Sequence, residues 1–402
     1  MKIAVLVSNP CVIDARVIRI SEAEKKLGYE VKVFAILKDN VSTKEEKNGV
    51  LYERLKWDLS AYCRQYIPKF VKHRKIKGFL VKRLAKYLRY FSFRETFLEK
   101  VLEYKPDIVH AHDLLTLPLG AQIKELIGSK LIYDAHELEV YRNPPMPWHQ
   151  KNFTKYLEKK YAKKADCIIT VNDSIARILE KNLSRKQPVY TIRNTPILDS
   201  YKGKSLREKL NFSDKEKILI YVGKVSSNRG LEWVIEVLQQ MPEIHFICVG
   251  HQDKQIADNL QIMSKKYNVE NRVHLLPPVP HTEVVEFVKD ANIGICAINP
   301  VTKSYYYSLP NKVFEMSMAG LPVIATDLPE IKNFLDQIDN GYYFTPDKKE
   351  KIVSLVQEIL KKIENNPEQF NNIATKARTH RWENESKKLV EVLNACSENK
   401  NK

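Results

Sequence analysis

Within Ser308 to Asp327, SLPNKVFEMSMAGLPVIATD, Glu315 is the one acid inside an otherwise apolar predicted helix. Asn311 and Glu315 are four apart and share one helix face, with Lys312 a turn before the acid. A carboxylate in that setting must be partnered or must hold something polar. Ribose hydroxyls suit it, because it accepts from two donors at once. The plainer alternative is a salt bridge to Lys312 at the helix start. Upstream, Gly223-Lys224-Val225-Ser226-Ser227-Asn228-Arg229-Gly230 follows an apolar run and opens a helix near Leu231. Helix N-termini at the carboxyl ends of parallel strands present free N–H groups to phosphates, and Lys224 and Arg229 add two cations. The alternative is an ordinary strand-to-helix turn, since this is not a glycine-rich phosphate fingerprint. Gly250 ends a further apolar run, where a ligand or another loop can come close. In the first half, His110-Ala111-His112-Asp113 and Asp134-Ala135-His136-Glu137 put two His–acid clusters at successive strand ends.

These residues need a scaffold of alternating strands and helices, which is the pattern of parallel α/β sheets. In the first half, strands are predicted near Ile3–Val7, Glu30–Leu37, Asp107–His112, Lys130–Asp134, Cys167–Val171 and Val189–Arg193. In the second they are predicted near Ile218–Gly223, Ile244–Gly250, Val273–Leu276, Ile293–Ala297 and Pro322–Thr326. Between them, 194–214 is polar and reads as a linker. The Ser308 run itself divides into a polar loop, a helix ended by Gly320 in a left-handed turn, and a buried strand. The expected organisation is two doubly wound domains, 1–200 and 201–375, with a terminal segment 376–402.

Composition narrows the classes. A 402-residue chain with 44% apolar residues suits two packed cores. No run approaches the ~20 apolar residues of a membrane span. Six cysteines are scattered, none in CxxC spacing, and read as reduced core residues of a cytosolic protein. The net charge is +17, concentrated from Arg64 to Arg94, which carries eleven Lys or Arg and no Asp or Glu. Leu80, Leu84, Tyr87, Leu88 and Phe91 recur there at helical spacing, with Lys82, Arg83, Lys86 and Arg89 largely off that stripe. A basic amphipathic insertion at about 61–94 suits an anionic membrane surface; the alternative is a solvated helix packed by its apolar stripe. No nucleic-acid motif accompanies the charge, so nucleic acid is not an expected partner.

The Glu315 run, with Ala319, Gly320, Pro322 and Val323 after it, resembles the nucleotide-sugar site of retaining glycosyltransferases of family 4 (group 1), in the subgroup with SxPNKxFE. Many members carry another acid eight residues before the glutamate; here that place is Tyr307. The resemblance implies the GT-B fold: two Rossmann-like domains facing a cleft, with the last helix crossing back onto the first. It also implies a donor site of Gly223, Lys224, Arg229, Gly250, Ser308, Asn311, Lys312 and Glu315. Lys224 and Arg229 would hold the donor diphosphate, Glu315 its ribose, and His136 would point at donor sugar and phosphate. His136, Lys224 and Arg229 are then the catalytic candidates. Asp14, Arg16, His112 and Asp113 are acceptor-side candidates, although Asp14 also suits a helix cap. No DxD triplet occurs, so neither a metal nor another cofactor is expected. The expected partners are a nucleotide sugar, a glycan or lipid-linked acceptor, and the inner face of a cell membrane. The rival readings are a sugar-nucleotide epimerase of the same architecture and a non-catalytic donor-binding partner in a polysaccharide assembly.

Overall fold

The computed structural model describes residues 1–68, 73–183 and 188–398. The chain forms two compact units, Met1–Arg193 with the segment from Ser386 onward, and Asn194–Glu385. The divisions thus fall at 193/194 and 385/386, where the sequence suggested 200 and 375. The stretch read as a linker belongs to the second unit. It carries the helix Leu206–Leu210, opened by a reciprocal cap between Ser205 and Glu208, and Leu206 is fully buried in that unit's core.

The first unit holds eight strands: β1 (Lys2–Leu6), β2 (Glu30–Ile36), β3 (Lys44–Lys47), β4 (Val50–Leu55), β5 (Ile108–His112), β6 (Lys130–Ala135), β7 (Cys167–Thr170) and β8 (Val189–Thr191). Their order is β3-β4-β2-β1-β5-β6-β7-β8, parallel except for β3 on β4. The inner strands are continuous buried runs, as a sheet covered on both faces requires. The β3–β4 hairpin was not expected from the sequence. Its residues are mostly polar, yet Asn48-Gly49 at its turn, both with positive φ, is a hairpin signal that was legible. The exposed Lys-Glu-Glu-Lys of β3 charges the sheet edge, which deters pairing with another chain.

The second unit holds β9 (Lys217–Val222), β10 (Ile244–Val249), β11 (Val273–Leu276), β12 (Ile293–Cys296), β13 (Val323–Thr326) and β14 (Gly341–Phe344). They are ordered β11-β10-β9-β12-β13-β14 and all parallel. In each sheet the order reverses beside the first strand: between β1 and β5, and between β9 and β12. Connections there leave to opposite faces and open a crevice at the carboxyl ends.

The basic insertion is largely one helix, Arg74–Tyr104; residues 69–72 of the expected segment lie outside the described residues. Its buried stripe is Tyr90, Phe93, Phe97, Val101 and Tyr104, further along than the stripe expected from Leu80 to Phe91. Phe93 and Phe97 stack at 4.2 Å and Trp57 meets Phe93 edge-on. The first turns project: Ile76 and Phe79 are exposed. Arg89 is turned inward, 3.6 Å from Glu139 and bonded to the Tyr90 hydroxyl. It is therefore removed from the surface set, because its charge is already engaged.

The last helix, Lys388–Glu398, lies against β6 and β7. Leu389, Val392, Leu393 and Cys396 are buried, and the Cys167 thiol donates to the Val392 carbonyl. The segment is thus part of the first unit's core. Leu389→Ala is expected to lower stability by about 2–5 kcal/mol, from lost transfer energy and the cavity left behind. Urea unfolding checks this, and a loss below about 1 kcal/mol would show that the helix does not seal the sheet.

Candidate functional site

In the second unit the candidate residues gather where the strand order reverses. β9 ends at Val222, and the N–H of the next residue, Gly223, donates to the Val249 carbonyl of β10. A side chain on Gly250 would meet the Gly223 carbonyl oxygen at 2.2 Å. Gly250 is therefore needed for backbone packing against Gly223, and the close approach expected there is made by another loop. The same loop is pinned at its far end: a Cβ on Gly230 would lie 2.0 Å from the Ala297 carbonyl oxygen just past β12, and Asn299 N–H donates to the Asn228 carbonyl. The helix Leu231–Leu238 starts directly at Gly230 with no side-chain cap, so its first N–H groups remain available.

Four charged side chains meet this loop. Lys224 is exposed, and its carbonyl accepts from the Tyr221 hydroxyl at 2.9 Å. Arg229 is half-buried with its guanidinium 5.4 Å from the centre of the Tyr305 ring. Its Nε is buried and has no hydrogen-bond partner among the described residues. Lys312 and Glu315 are both buried on the helix Asn311–Met318. The Lys312 amine sits 3.7 Å from the centre of the Tyr221 ring. No ion pair between Lys312 and Glu315, the plainer expectation, is found among the described residues, although both Arg229 and Glu315 are near enough to act on the amine. Asn311 and Ser308 are half-buried at the entrance to this helix, and the Ser308 hydroxyl donates to the Tyr305 carbonyl. Tyr307 is half-buried and meets Tyr306 edge-on at 4.9 Å. The helix closes as Gly320 predicts: Leu321 N–H returns to the Met316 carbonyl, with Gly320 at φ 88°.

In the first unit the carboxyl ends of β5 and β6 carry a buried network. Arg16 grips Asp134 with Nε at 2.9 Å and Nη2 at 2.7 Å, and its Nη1 donates to the Ile192 carbonyl. Burial pushes the Asp134 carboxyl up, but Arg16, His136 and His110 outweigh it and hold it below its ordinary value. His110 Nδ1 lies 2.6 Å from Glu24 Oε1. His112 Nδ1 lies 2.9 Å from His136 Nε2 and 3.4 Å from Asp134 Oδ2. Burial, with His110, His136 and Arg16 nearby, holds His112 well below the usual histidine range, so it is neutral. His136 is the partly exposed member, with Nδ1 3.5 Å from Asp113 Oδ2. Asp113 takes a left-handed backbone, φ 62°, rare for a residue with a side chain and frequent at functional sites. His110, His112 and Asp134 offer ligand atoms within 4.8 Å of one another. However, Arg16 bonds to both Asp134 oxygens, and its charge opposes a cation there.

Comparison with known proteins decides the family. The family model for glycosyl transferases group 1 matches residues 203–378, and the model for Glycosyltransferase Family 4 matches 14–195. Together they span most of the chain. It belongs to the group 1 glycosyltransferases. An uncharacterized glycosyltransferase of Methanocaldococcus jannaschii is 23% identical over 316 residues, covering 73% of this chain and 76% of that protein. Among solved structures, the sucrose-phosphate synthase of Thermosynechococcus elongatus superposes with a TM-score of 0.75 at 19% identity, covering 98% of each chain. HepE of Anabaena, in complex with UDP, gives 0.71 at 16% identity, covering 98% of this chain and all of that one. The fold is GT-B.

Within this glycosyltransferase, two acceptor-side candidates are buried and a third, Asp14, is half-buried. Asp14 caps the helix Ala15–Lys26, accepting from Val17 N–H and from the Asn9 side chain. Arg16 and His112 are buried in the network above. Sequence reasoning did not find a cavity of about 890 Å³ at the carboxyl ends of β1, β2 and β4, lined by Ser8, Leu37, Lys38, Lys56, Trp57 and Asp58. Lys56, Trp57 and Asp58 come from the segment after β4, a strand with no alternating apolar pattern strong enough to announce it.

Two measurements test these assignments. Asp14→Ala should cost about 1 kcal/mol in urea unfolding, as a lost cap does, and leave sugar transfer unchanged. Arg16→Leu strands a buried carboxylate and should cost about 3–5 kcal/mol at neutral pH. Asp134 is depressed in the folded state, so the pair's contribution is complete above the unfolded value near 3.9 and is lost as pH falls through the folded one. The deficit of Arg16→Leu should accordingly shrink in acid; a pH-independent deficit would show that the pair contributes no ionic stabilisation.

Proposed function

We propose that this chain moves a sugar from a nucleotide-diphosphate sugar to an envelope glycan or lipid-linked acceptor, retaining the anomeric configuration and using no metal. The observation that carries this reading is the gathering of Lys312, Arg229 and Glu315 beside the Gly223 loop, where the second sheet's order reverses. Breaking a sugar–phosphate bond builds oxocarbenium character on the sugar and negative charge on the departing diphosphate. Lys224, Arg229 and the uncapped start of the helix Leu231–Leu238 are complementary to that growing charge. Glu315 would take the ribose hydroxyls, with Asn311 and Ser308 beside it. His136 would serve the donor sugar, oriented by Asp113. The departing phosphate itself would accept the acceptor's proton, with attack from the face of departure. The cavity beside Trp57 is the proposed acceptor seat, in place of Asp14 and Arg16. HepE, solved with UDP, supports a nucleotide diphosphate as donor handle.

For the membrane, the exposed first turns of the helix Arg74–Tyr104 combine Ile76 and Phe79 with Lys82, Arg83 and Lys86. This supports docking on an anionic, cytoplasmic membrane face, each cation contributing about 1 kcal/mol near the surface. Among the described residues, no helix is long and apolar enough to cross a membrane.

Incubating the purified protein with radiolabelled nucleotide sugars and membrane lipid extract tests the reading. Lys224→Ala and Arg229→Ala should each lower transfer by about 100-fold or more, the scale of losing one charge-stabilising donor, with little change in melting temperature. Normal transfer by both variants would overturn the diphosphate assignment. EDTA should leave the rate unchanged. An epimerised free nucleotide sugar with no new glycosidic bond would mark the epimerase instead. Flotation with anionic vesicles should be lost on reversing Lys82, Arg83 and Lys86, and persistence would reject the docking surface.

A further inference from the structure

Both ring nitrogens of His136 already face the protein. Nε2 lies 2.9 Å from His112 Nδ1, and Nδ1 lies 3.5 Å from Asp113 Oδ2. His112 is buried beneath it. Its ring stacks on His110 at 4.5 Å and meets His136 edge-on at 5.2 Å, and the Thr116 hydroxyl donates to its carbonyl. Two imidazoles that meet nitrogen to nitrogen at 2.9 Å share one proton: one ring donates and the other accepts. Which one donates decides what His136 can offer a guest, because the bond at one ring nitrogen sets the protonation of the other.

If His136 donates from Nε2, neutral His112 must carry its own proton on Nε2. That atom is buried and has no hydrogen-bond partner among the described residues. A buried N–H without an acceptor is a rare and unfavourable defect. Any form of His136 with a proton on Nε2 carries this penalty. In the neutral form the Nδ1 lone pair would also face the Asp113 carboxylate. If His112 donates from Nδ1, these conflicts disappear. The same N–H lies 3.4 Å from Asp134 Oδ2, an acceptor that Arg16 keeps ionised through bonds to both oxygens. His112 Nε2 is left with a lone pair only, and His136 carries its proton on Nδ1, toward Asp113. At 3.5 Å that last contact is too long for a full bond, so the Nδ1–H stays available to a guest.

We propose that His112 is a positioning residue for sugar transfer: it fixes His136 in the tautomer protonated on Nδ1. His136 then meets the donor sugar as a hydrogen-bond donor, and its one lone pair is occupied by His112, so it cannot act as the base. This rests on the reading above in which His136 serves the donor sugar. It also gives His112, first taken for an acceptor-side group, a role it can fill while buried.

Long-range proton–nitrogen NMR correlation on protein with 15N-labelled histidine rings reads each tautomer without any substrate. His136→Gln assigns the His136 signals by their loss. At about pH 8, above the ordinary histidine range, wild-type His136 should show the Nδ1–H pattern. His112→Phe keeps a flat ring but offers no N–H, and should move His136 to the Nε2–H pattern. His112→Asn places an amide N–H where Nδ1 was and should restore Nδ1–H. In the radiolabelled transfer assay, His112→Phe should lower kcat by about tenfold or more with little change in KM for the donor, and His112→Asn should recover most of it. Thermal melts check folding, and if the Phe variant is unfolded the wild-type spectrum decides. An Nε2–H pattern in the wild type, or Nδ1–H retained in folded His112→Phe, overturns this proposal while leaving the donor reading intact. Normal transfer by His136→Gln overturns the donor role of His136 and the positioning role with it.

Discussion

A parallel sheet whose strand order reverses leaves a gap at the carboxyl ends of the two strands flanking the reversal, because the chain leaves them toward opposite faces. In the second unit those strands are β9 and β12, and the gap is where Gly223, Arg229 and Lys312 meet. The gap is kept narrow by backbone contact: Gly250 admits the Gly223 carbonyl, and Gly230 admits that of Ala297. A methyl group at either position would push the loop away from its strand and move the cations with it. In the first unit the reversal lies between β1 and β5, which ends in His112.

Both units bury charged side chains at the carboxyl ends of their strands. In the first, Arg16 spends its guanidinium on Asp134 and the Ile192 carbonyl, and His110 sits on Glu24. The Arg16–Asp134 pair is neutralised internally, the arrangement that makes burial of ions tolerable, whereas Glu24 Oε2, His110 Nε2 and His112 Nε2 are buried with no hydrogen-bond partner among the described residues. The network holds the ends of β5, β6 and β8 together and leaves only His136 and Asp113 partly exposed. In the second, the Nε of Arg229 is buried with no hydrogen-bond partner among the described residues. A protein core seldom keeps polar groups in that condition unless something else supplies the missing bonds.

Much of the architecture was legible because buried strands are short apolar runs and the turns between them carry their own signals. Ile218–Gly223 and Pro322–Thr326 read plainly as strands, and Gly320 marked the end of the helix that precedes the second of them in the chain. The four-residue spacing put Asn311 and Glu315 on one face of a helix. What failed did so for identifiable reasons. β3 is charged on every residue, so its strand character comes only from pairing with β4. The apolar stripe of the helix Arg74–Tyr104 was misplaced because aromatic residues occur along its whole length, and only packing chooses which of them are covered.

Residue order alone determined the local chemistry of this glycosyltransferase: which turns could hold a phosphate, which strand ends bear histidines, and which helix carries a buried acid. Those properties depend on neighbours within a turn or two, where spacing and residue type suffice. Tertiary structure decided which charges are neutralised. Arg16 and Asp134 stand 118 positions apart, and Lys312 meets Tyr221 across separate elements. No periodicity connects such partners. Their pairing follows from how strands are ordered in the sheet, and the cost of burying an ion depends on what that order brings beside it.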